Sequence, residues 1–234
     1  MDRYKFYHRI RLNLGLKRRF LPQPGVSFLV GLCAPRRLRL PLVTLAEFLG
    51  APPPPIVFRA LHEPEVNTPP NDLVPVCTLA RAIDARRILE VGTYNGAGAI
   101  NLALACPNAT VITYDVRPEA GELIASIEPA IHCRIERRVA NFALDGARLR
   151  TDPRYDFVFI DGDHKFDAVA ADSALAFERI APGGIIAWHD YRHVGHEWLS
   201  CENLVPEVLN GLAEKHAIRQ LRGTTVAVLR WPPG

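Results

Sequence analysis

Along most of the chain, apolar residues fall in short uninterrupted runs separated by stretches in which they recur every three or four positions. A short continuous run marks a strand buried on both faces, and three-to-four spacing marks a helix with one buried stripe. The runs at 87–91, 111–115, 133–139, 156–160 and 184–189 predict strands. Leu73, Val76, Leu79, Ala80 and Ile83 recur at helical spacing behind an N-cap at Asn71 or Asp72. Further helices are predicted over 99–105, 118–127, 165–179 and 203–216. Alternation of this kind predicts an α/β fold with a doubly wound, mostly parallel sheet. The runs 217–221 and 225–229 flank Arg222-Gly223-Thr224 and predict a terminal hairpin.

The first seventy residues read differently. Thr44 and Glu47 have capping-box spacing and Gly50 supplies a stop, which predicts a short helix over 45–49. Four prolines at 52–55, followed by Pro64, Pro69 and Pro70, make the rest a stiff, irregular connector. Two regions are therefore expected: a basic, proline-rich accessory segment over 1–70 and a folded domain over 71–234.

A length of 234 residues and 48% hydrophobic content suit one α/β domain with an appended segment. The net charge of +3 hides an asymmetry: residues 1–40 carry +9 and the remainder −6. Such an arm either binds an anionic membrane surface or another acidic partner, or docks on the acidic body of its own domain or of a homodimer mate. The apolar run Val26–Ala34 is too short to span a bilayer as a helix. Arg18-Arg19-Phe20-Leu21 is similar to a twin-arginine export signal, but Pro22 and Pro24 interrupt it. Five cysteines, an odd number without a C-x-x-C pair, suggest neither a disulfide framework nor a zinc ribbon. The expected setting is cytoplasmic, peripheral to the membrane if the arm engages lipid.

The chemistry concentrates where strands end. Arg87–Val91 runs into Gly92-Thr93-Tyr94-Asn95-Gly96-Ala97-Gly98, a glycine-spaced turn that opens a helix. Glycines there permit positive φ and close approach of backbone to a ligand, while the helix start offers free N–H groups. The spacing is not the G-x-G-x-x-G of dinucleotide sites, and Glu90 precedes it. About twenty residues on, Asp115 ends the next strand, where a ribose diol needs an acceptor. Two later strands finish in Ile160-Asp161-Gly162-Asp163-His164 and Trp188-His189-Asp190-Tyr191, so two carboxylates and two imidazoles converge on one crevice.

Taken together, E-x-G-x-x-x-G, I-D-G-D-H and P-G-G-I-I-x-x-H-D-Y resemble the motifs of class I S-adenosylmethionine-dependent methyltransferases, in the subgroup that methylates hydroxyls of small molecules and sugars. The resemblance covers roughly residues 68–230 and implies a seven-stranded sheet of Rossmann-like type. It implies donor contacts from Glu90, Gly92, Thr93, Tyr94, Asn95 and Gly96, with Asp115 on the ribose, Asn141 at the adenine edge and Asp161 nearby. His164 stands where related metal-dependent enzymes place a lysine or histidine base. It is either that base or a loop-ordering histidine. Asp161, His189 and Asp190 are the metal candidates, for Mg²⁺ if oxygen ligands dominate and towards Mn²⁺ if His189 joins them. The same aspartates could instead orient substrate without metal, since His189 and Tyr191 flank Asp190 where relatives carry Asn, Asp or Glu.

His193 and His196 extend the array beyond His189 and are read as loop residues near the acceptor pocket, with Tyr191 and Trp198 as aromatic wall and Trp188 either part of that wall or, as the favoured reading, ordinary core. An N/D-P-P-Y/F/W motif for a flipped base is absent from the fourth strand, which argues against nucleic acid as substrate. The expected function is O-methylation of a small molecule or sugar. The alternative is a non-catalytic scaffold of the same fold, attached through its basic arm.

Overall fold

The computed structural model describes residues 40–61, 68–145, 151–191 and 203–234. The basic arm, the apolar run 26–34, His193, His196 and Trp198 lie outside the described residues. Strands β1 (Leu42–Val43), β2 (Arg87–Val91), β3 (Thr110–Asp115), β4 (Ile135–Val139), β5 (Tyr155–Ile160), β6 (Ile180–Trp188), β7 (Arg219–Leu221) and β8 (Ala227–Arg230) form one sheet. Their order is β1-β7-β8-β6-β5-β2-β3-β4. All pairings are parallel except those of β8 with β6 and β7. The predicted hairpin is therefore present, at the side of the sheet away from β4.

Helices α1 (Leu45–Leu49), α2 (Pro70–Ala82), α3 (Ala97–Ala105), α4 (Glu122–Ser126), α5 (Pro129–His132), α6 (Phe166–Arg179) and α7 (Val205–Leu212) complete the fold. Strand alternation divides the core. Ile88, Val111, Phe157, Phe159 and Ile185 point to the face covered by α2 and α3. Leu89, Ile112, Val158, Ile160 and Ile186 point to the face covered by α6 and α7. Both faces are buried, which is why the strands lack polar alternation.

Three expectations need correction. Among the described residues the sheet has eight strands, because Leu42–Val43 pairs in parallel with Gln220–Leu221. Leu40 is buried beside it, so packing onto the sheet begins well before residue 71. Helix α2 starts at Pro70 with Pro69 as N-cap, two or three residues earlier than an N-cap at Asn71 or Asp72. Proline lacks the N–H that a first helical residue would leave unpaired, so Pro70 is suited to that position. Asp72 is thereby freed from capping and turned inward.

Candidate active site

The carboxyl ends of β2, β3, β5 and β6 open on a cleft of about 1090 Å³. It lies where strand order reverses about β2, the place where open α/β sheets take ligands. Gly92 and Gly96 are in the left-handed region, with φ of 102° and 96°. A Cβ on Gly92 would lie 2.0 Å from the Asp161 carbonyl oxygen. Glycine at 92 is thus what allows the β2 and β5 ends to touch. Tyr94 also has positive φ, and its amide donates to Asp115 Oδ2 at 2.9 Å.

Glu90 is buried directly beneath this turn. Thr113 Oγ1 donates to it at 2.6 Å, and the Thr93 hydroxyl lies 2.7 Å from that of Thr113. Burial pushes the Glu90 carboxyl up to about 8, against the lowering effect of the Thr113 hydrogen bond, with the Asp161 and Asp115 charges adding to the rise. A Cβ on Gly98 would come within 2.1 Å of Glu90 Oε1, so the third glycine of the turn makes room for the acid of the first motif.

Asp115 is held in the opposite charge state. Burial would raise its carboxyl, but hydrogen bonds from the Arg117 side chain and amide and from the Tyr94 amide hold it below the usual range. Asn95 turns back on its own helix, accepting from the Ala97 amide at 3.1 Å. Asn141 caps the short 3₁₀ turn Phe142–Leu144, accepting from the Leu144 amide at 3.3 Å, and also lines the cleft.

At the other end, β5 and β6 deliver the ionisable cluster. Asp161 accepts from Thr68 Oγ1 at 2.6 Å through Oδ2 and meets His189 Nδ1 at 3.0 Å through Oδ1. His189 Nε2 meets Asp72 Oδ2 at 3.0 Å. Asp72 also accepts from the amide and hydroxyl of Thr225. Burial alone would lower the His189 pKa, but Asp161, Asp190 and Asp72 outweigh it and raise it to about 12. His189 is an imidazolium locked between carboxylates, with neither ring nitrogen turned to the cleft as a free ligand atom.

His164 takes the place expected of His189. Its Nε2 lies 3.0 Å from Asp190 Oδ2, and ligand atoms of Asp161, His164 and Asp190 all fall within 4.8 Å of one another. Asp163, the expected neighbour of His164, instead accepts from the Lys165 amide and ammonium. Lys165 is the N-cap of α6 with an exposed side chain. Trp188 is fully buried and donates to Ser173 Oγ. Tyr191 is buried too, its hydroxyl donating to Asn210 and accepting from the Leu40 amide, so it braces the sheet edge and does not wall the cleft.

Asp72, Thr68 and Thr225 escaped the reading of the sequence. Asp72 sits in an apparent capping position, and Thr68 lies among prolines. Only the register of β8 brings Thr225 to Asp72.

The family described as a methyltransferase domain matches residues 89–191. A catechol O-methyltransferase of Mycobacterium tuberculosis is 34% identical over 128 residues, which is 49% of this chain and 58% of that protein. The chain thus spans little more than half the length of that relative. Among solved structures, the O-methyltransferase TomG from Streptomyces achromogenes in complex with SAM has a TM-score of 0.55 at 18% identity, covering 80% of this chain and 86% of that one. The MycE methyltransferase of the mycinamycin pathway, in complex with Mg and SAH, has a TM-score of 0.50 at 18% identity, covering 81% and 54%. At such identities these structures show the shared fold. With that fold, the glycine turn over a buried glutamate lies inside the residues that match the methyltransferase domain family, and across those residues the chain is similar to S-adenosylmethionine-dependent methyltransferases.

Proposed function

We propose that this protein transfers the methyl group of S-adenosylmethionine to a hydroxyl of a small molecule, with His164 as general base. One observation carries the reading: the Asp161–His164–Asp190 triangle shares a single cleft with the Gly92–Gly96 turn and Asp115. Methyl transfer is an in-line displacement, so donor and acceptor must be held together while the hydroxyl loses its proton. Glu90, Gly92, Thr93, Tyr94, Asn95, Gly96 and Asp115 form the donor end in this proposal, with Asn141 towards the base. With Nε2–H donating to Asp190, Nδ1 of His164 carries the lone pair that takes the acceptor proton. The Asp190 carboxylate then stabilises the resulting imidazolium.

The donor set also suits a divalent cation: two carboxylates and an imidazole, each offering one atom within ligand range of the others. Asp161 and Asp190 would hold it, and a bound cation would lower the pKa of the acceptor hydroxyl. In that second reading His164 is the third ligand and not the base. The likeness to a catechol O-methyltransferase supports a catechol-like acceptor, whose adjacent hydroxyls match either arrangement.

A thermal-shift series tests the donor and metal parts. S-adenosylhomocysteine should raise Tm where NAD does not, and Mg²⁺ or Mn²⁺ should add a further rise only if the cluster takes metal. Transfer of labelled methyl to catechol, absent with acceptor omitted, tests the reaction.

A further inference from the structure

The contact between His164 and Asp190 joins two separate loops, one after β5 and one after β6. A third element spans them. Asn203 Nδ2 donates to the Asp190 carbonyl oxygen at 2.9 Å, and the amide of the next residue, Leu204, donates to the His164 carbonyl oxygen at 2.8 Å. Two consecutive residues at the start of α7 thus grip the backbone of both members of the pair. Asn203 is 4% exposed and lines the cleft.

The grip is itself anchored. Asn203 Oδ1 accepts from the Val205 amide at 3.0 Å, an Asx turn that leaves the Nδ2 end directed at Asp190. Val205, Val208 and Leu209 of α7 are buried in the same core layer as Ile160 and Trp188, the last residues of β5 and β6. Asp190 needs such a holder, because its φ is 56°, in the left-handed region that a residue with a Cβ adopts only where its surroundings hold it. The peptide that follows it is fixed at both ends: the Asp190 carbonyl accepts from Asn203, and the Tyr191 amide donates to the Thr225 carbonyl oxygen at 2.9 Å. That peptide sets the direction in which the Asp190 carboxylate leaves the chain.

We infer that Asn203 is a positioning residue of the reaction, acting through the Asp190 backbone to hold the carboxylate against His164. This rests on the proposed methyl transfer and applies to both arrangements of the site, since each needs His164 and Asp190 side by side. Displacing a catalytic group by about 1 Å can cost on the order of 10² in rate, so the grip bears on turnover more than on binding.

The test compares Asn203→Asp, Asn203→Ala, His164→Ala and the Asn203→Asp, His164→Ala double variant with wild type, each checked for fold by circular dichroism and for S-adenosylhomocysteine affinity by calorimetry. Turnover is followed as transfer of labelled methyl to catechol with Mg²⁺ present. Aspartate keeps an oxygen for the Val205 amide, so the start of α7 survives, but its carboxylate has no hydrogen to give to the Asp190 carbonyl. Alanine loses both contacts and adds no charge. Both variants should lower kcat by roughly 10–100-fold while donor affinity and the KM for catechol stay close to wild type. The double variant should be hardly slower than His164→Ala, because the two residues act through one pair. A crystal structure of Asn203→Asp with S-adenosylhomocysteine should show His164 and Asp190 drawn apart. Near-normal kcat in either folded variant, a loss that multiplies in full with that of His164→Ala, or an unchanged contact between His164 and Asp190 in that crystal structure would overturn the role of Asn203 and leave the proposed function standing. A wild type that binds no S-adenosylhomocysteine and transfers no methyl group overturns the proposed function, and this inference with it.

Discussion

His189 Nε2 lies 3.0 Å from Asp72 Oδ2, joining the first turn of α2 to the end of β6 across a contact buried on both sides. Thr225, just before β8, donates twice to the same aspartate. Three elements distant in sequence are thus pinned behind Asp161. Asp72→Ala should destabilise the fold by about 1–3 kcal/mol, because it leaves the Thr225 donors without their acceptor and His189 Nε2 without its partner, while Asp161 and Asp190 still face the imidazolium. Asp72→Asn, which retains the Thr225 contacts, should cost less. Denaturant melts of both variants provide the measure, and equal stability in Asp72→Ala and wild type would mean that the pin carries no weight.

A second stability prediction has the opposite sign. Burial, with the Asp163 charge adding to it, raises the folded pKa of Asp172 to about 6 from the ordinary aspartate value of 3.8, so the native state holds its proton more tightly than the unfolded chain does. Between those values stability falls as pH rises, and the cost is fully present above the folded pKa. Asp172→Asn should therefore be more stable than wild type at pH 8, by about 1–2 kcal/mol after allowing for the amide's own burial. The advantage should shrink through pH 6 and vanish near pH 4. A Tm difference that does not vary with pH would show that Asp172 is not buried as an ion.

The glycine turn offers a steric prediction. Gly98 has Glu90 Oε1 where its Cβ would be, at 2.1 Å, and the obstacle is the end of a short buried side chain. Gly98→Ala should cost about 1–3 kcal/mol as overpacking. Glu90→Asp withdraws the carboxyl by one methylene, so the double variant should recover part of that loss. Additive losses in the double-mutant cycle would rule out the clash as the cause.

The sheet and its crevice were legible in the sequence because both rest on local signals. Buried parallel strands print continuous apolar runs, and the Gly92 turn prints its φ requirement as a residue type. The same is true of Asp115 and Asp161, which sit at strand ends and so at the cleft by topology alone. Side-chain direction is not printed in this way. His189 and His164 are both polar residues beyond apolar strands, and only the fold tells that one is wedged between Asp72 and Asp161 while the other joins Asp190. The two-residue strand Leu42–Val43 was hidden for another reason: a run so short has no periodicity to read.

Donor affinity should depend on Asp115. Arg117 and the Tyr94 amide fix this carboxylate, which is mostly buried and held ionised, at the strand end facing the cleft. Asp115→Ala should weaken S-adenosylhomocysteine binding by about 1.5–3 kcal/mol, as expected for one or two charge-assisted contacts. Calorimetry on folded protein decides. Unchanged affinity would remove Asp115 from the donor site and with it the placing of ribose at the end of β3.

The two readings of His164 separate kinetically. As base it takes the acceptor proton while leaving the donor alone, so His164→Ala should lower kcat by about 10²–10⁴ with S-adenosylhomocysteine affinity preserved. As a metal ligand it should instead lose Mn²⁺ affinity together with activity, and added Mn²⁺ should restore part of the rate. Asp190→Asn helps to divide the cases, because Asp190 is hydrogen-bonded to His164 and is also one of the two carboxylates in the triangle. If His164 is the base, that variant should lower kcat even in chelator, because it removes the carboxylate that orients the imidazole. If the cluster holds metal, wild-type activity should disappear in chelator and return with Mg²⁺ or Mn²⁺. Full wild-type activity in chelator would end the metal reading, and a His164→Ala enzyme with near-normal kcat in a chemistry-limited assay would end the base reading.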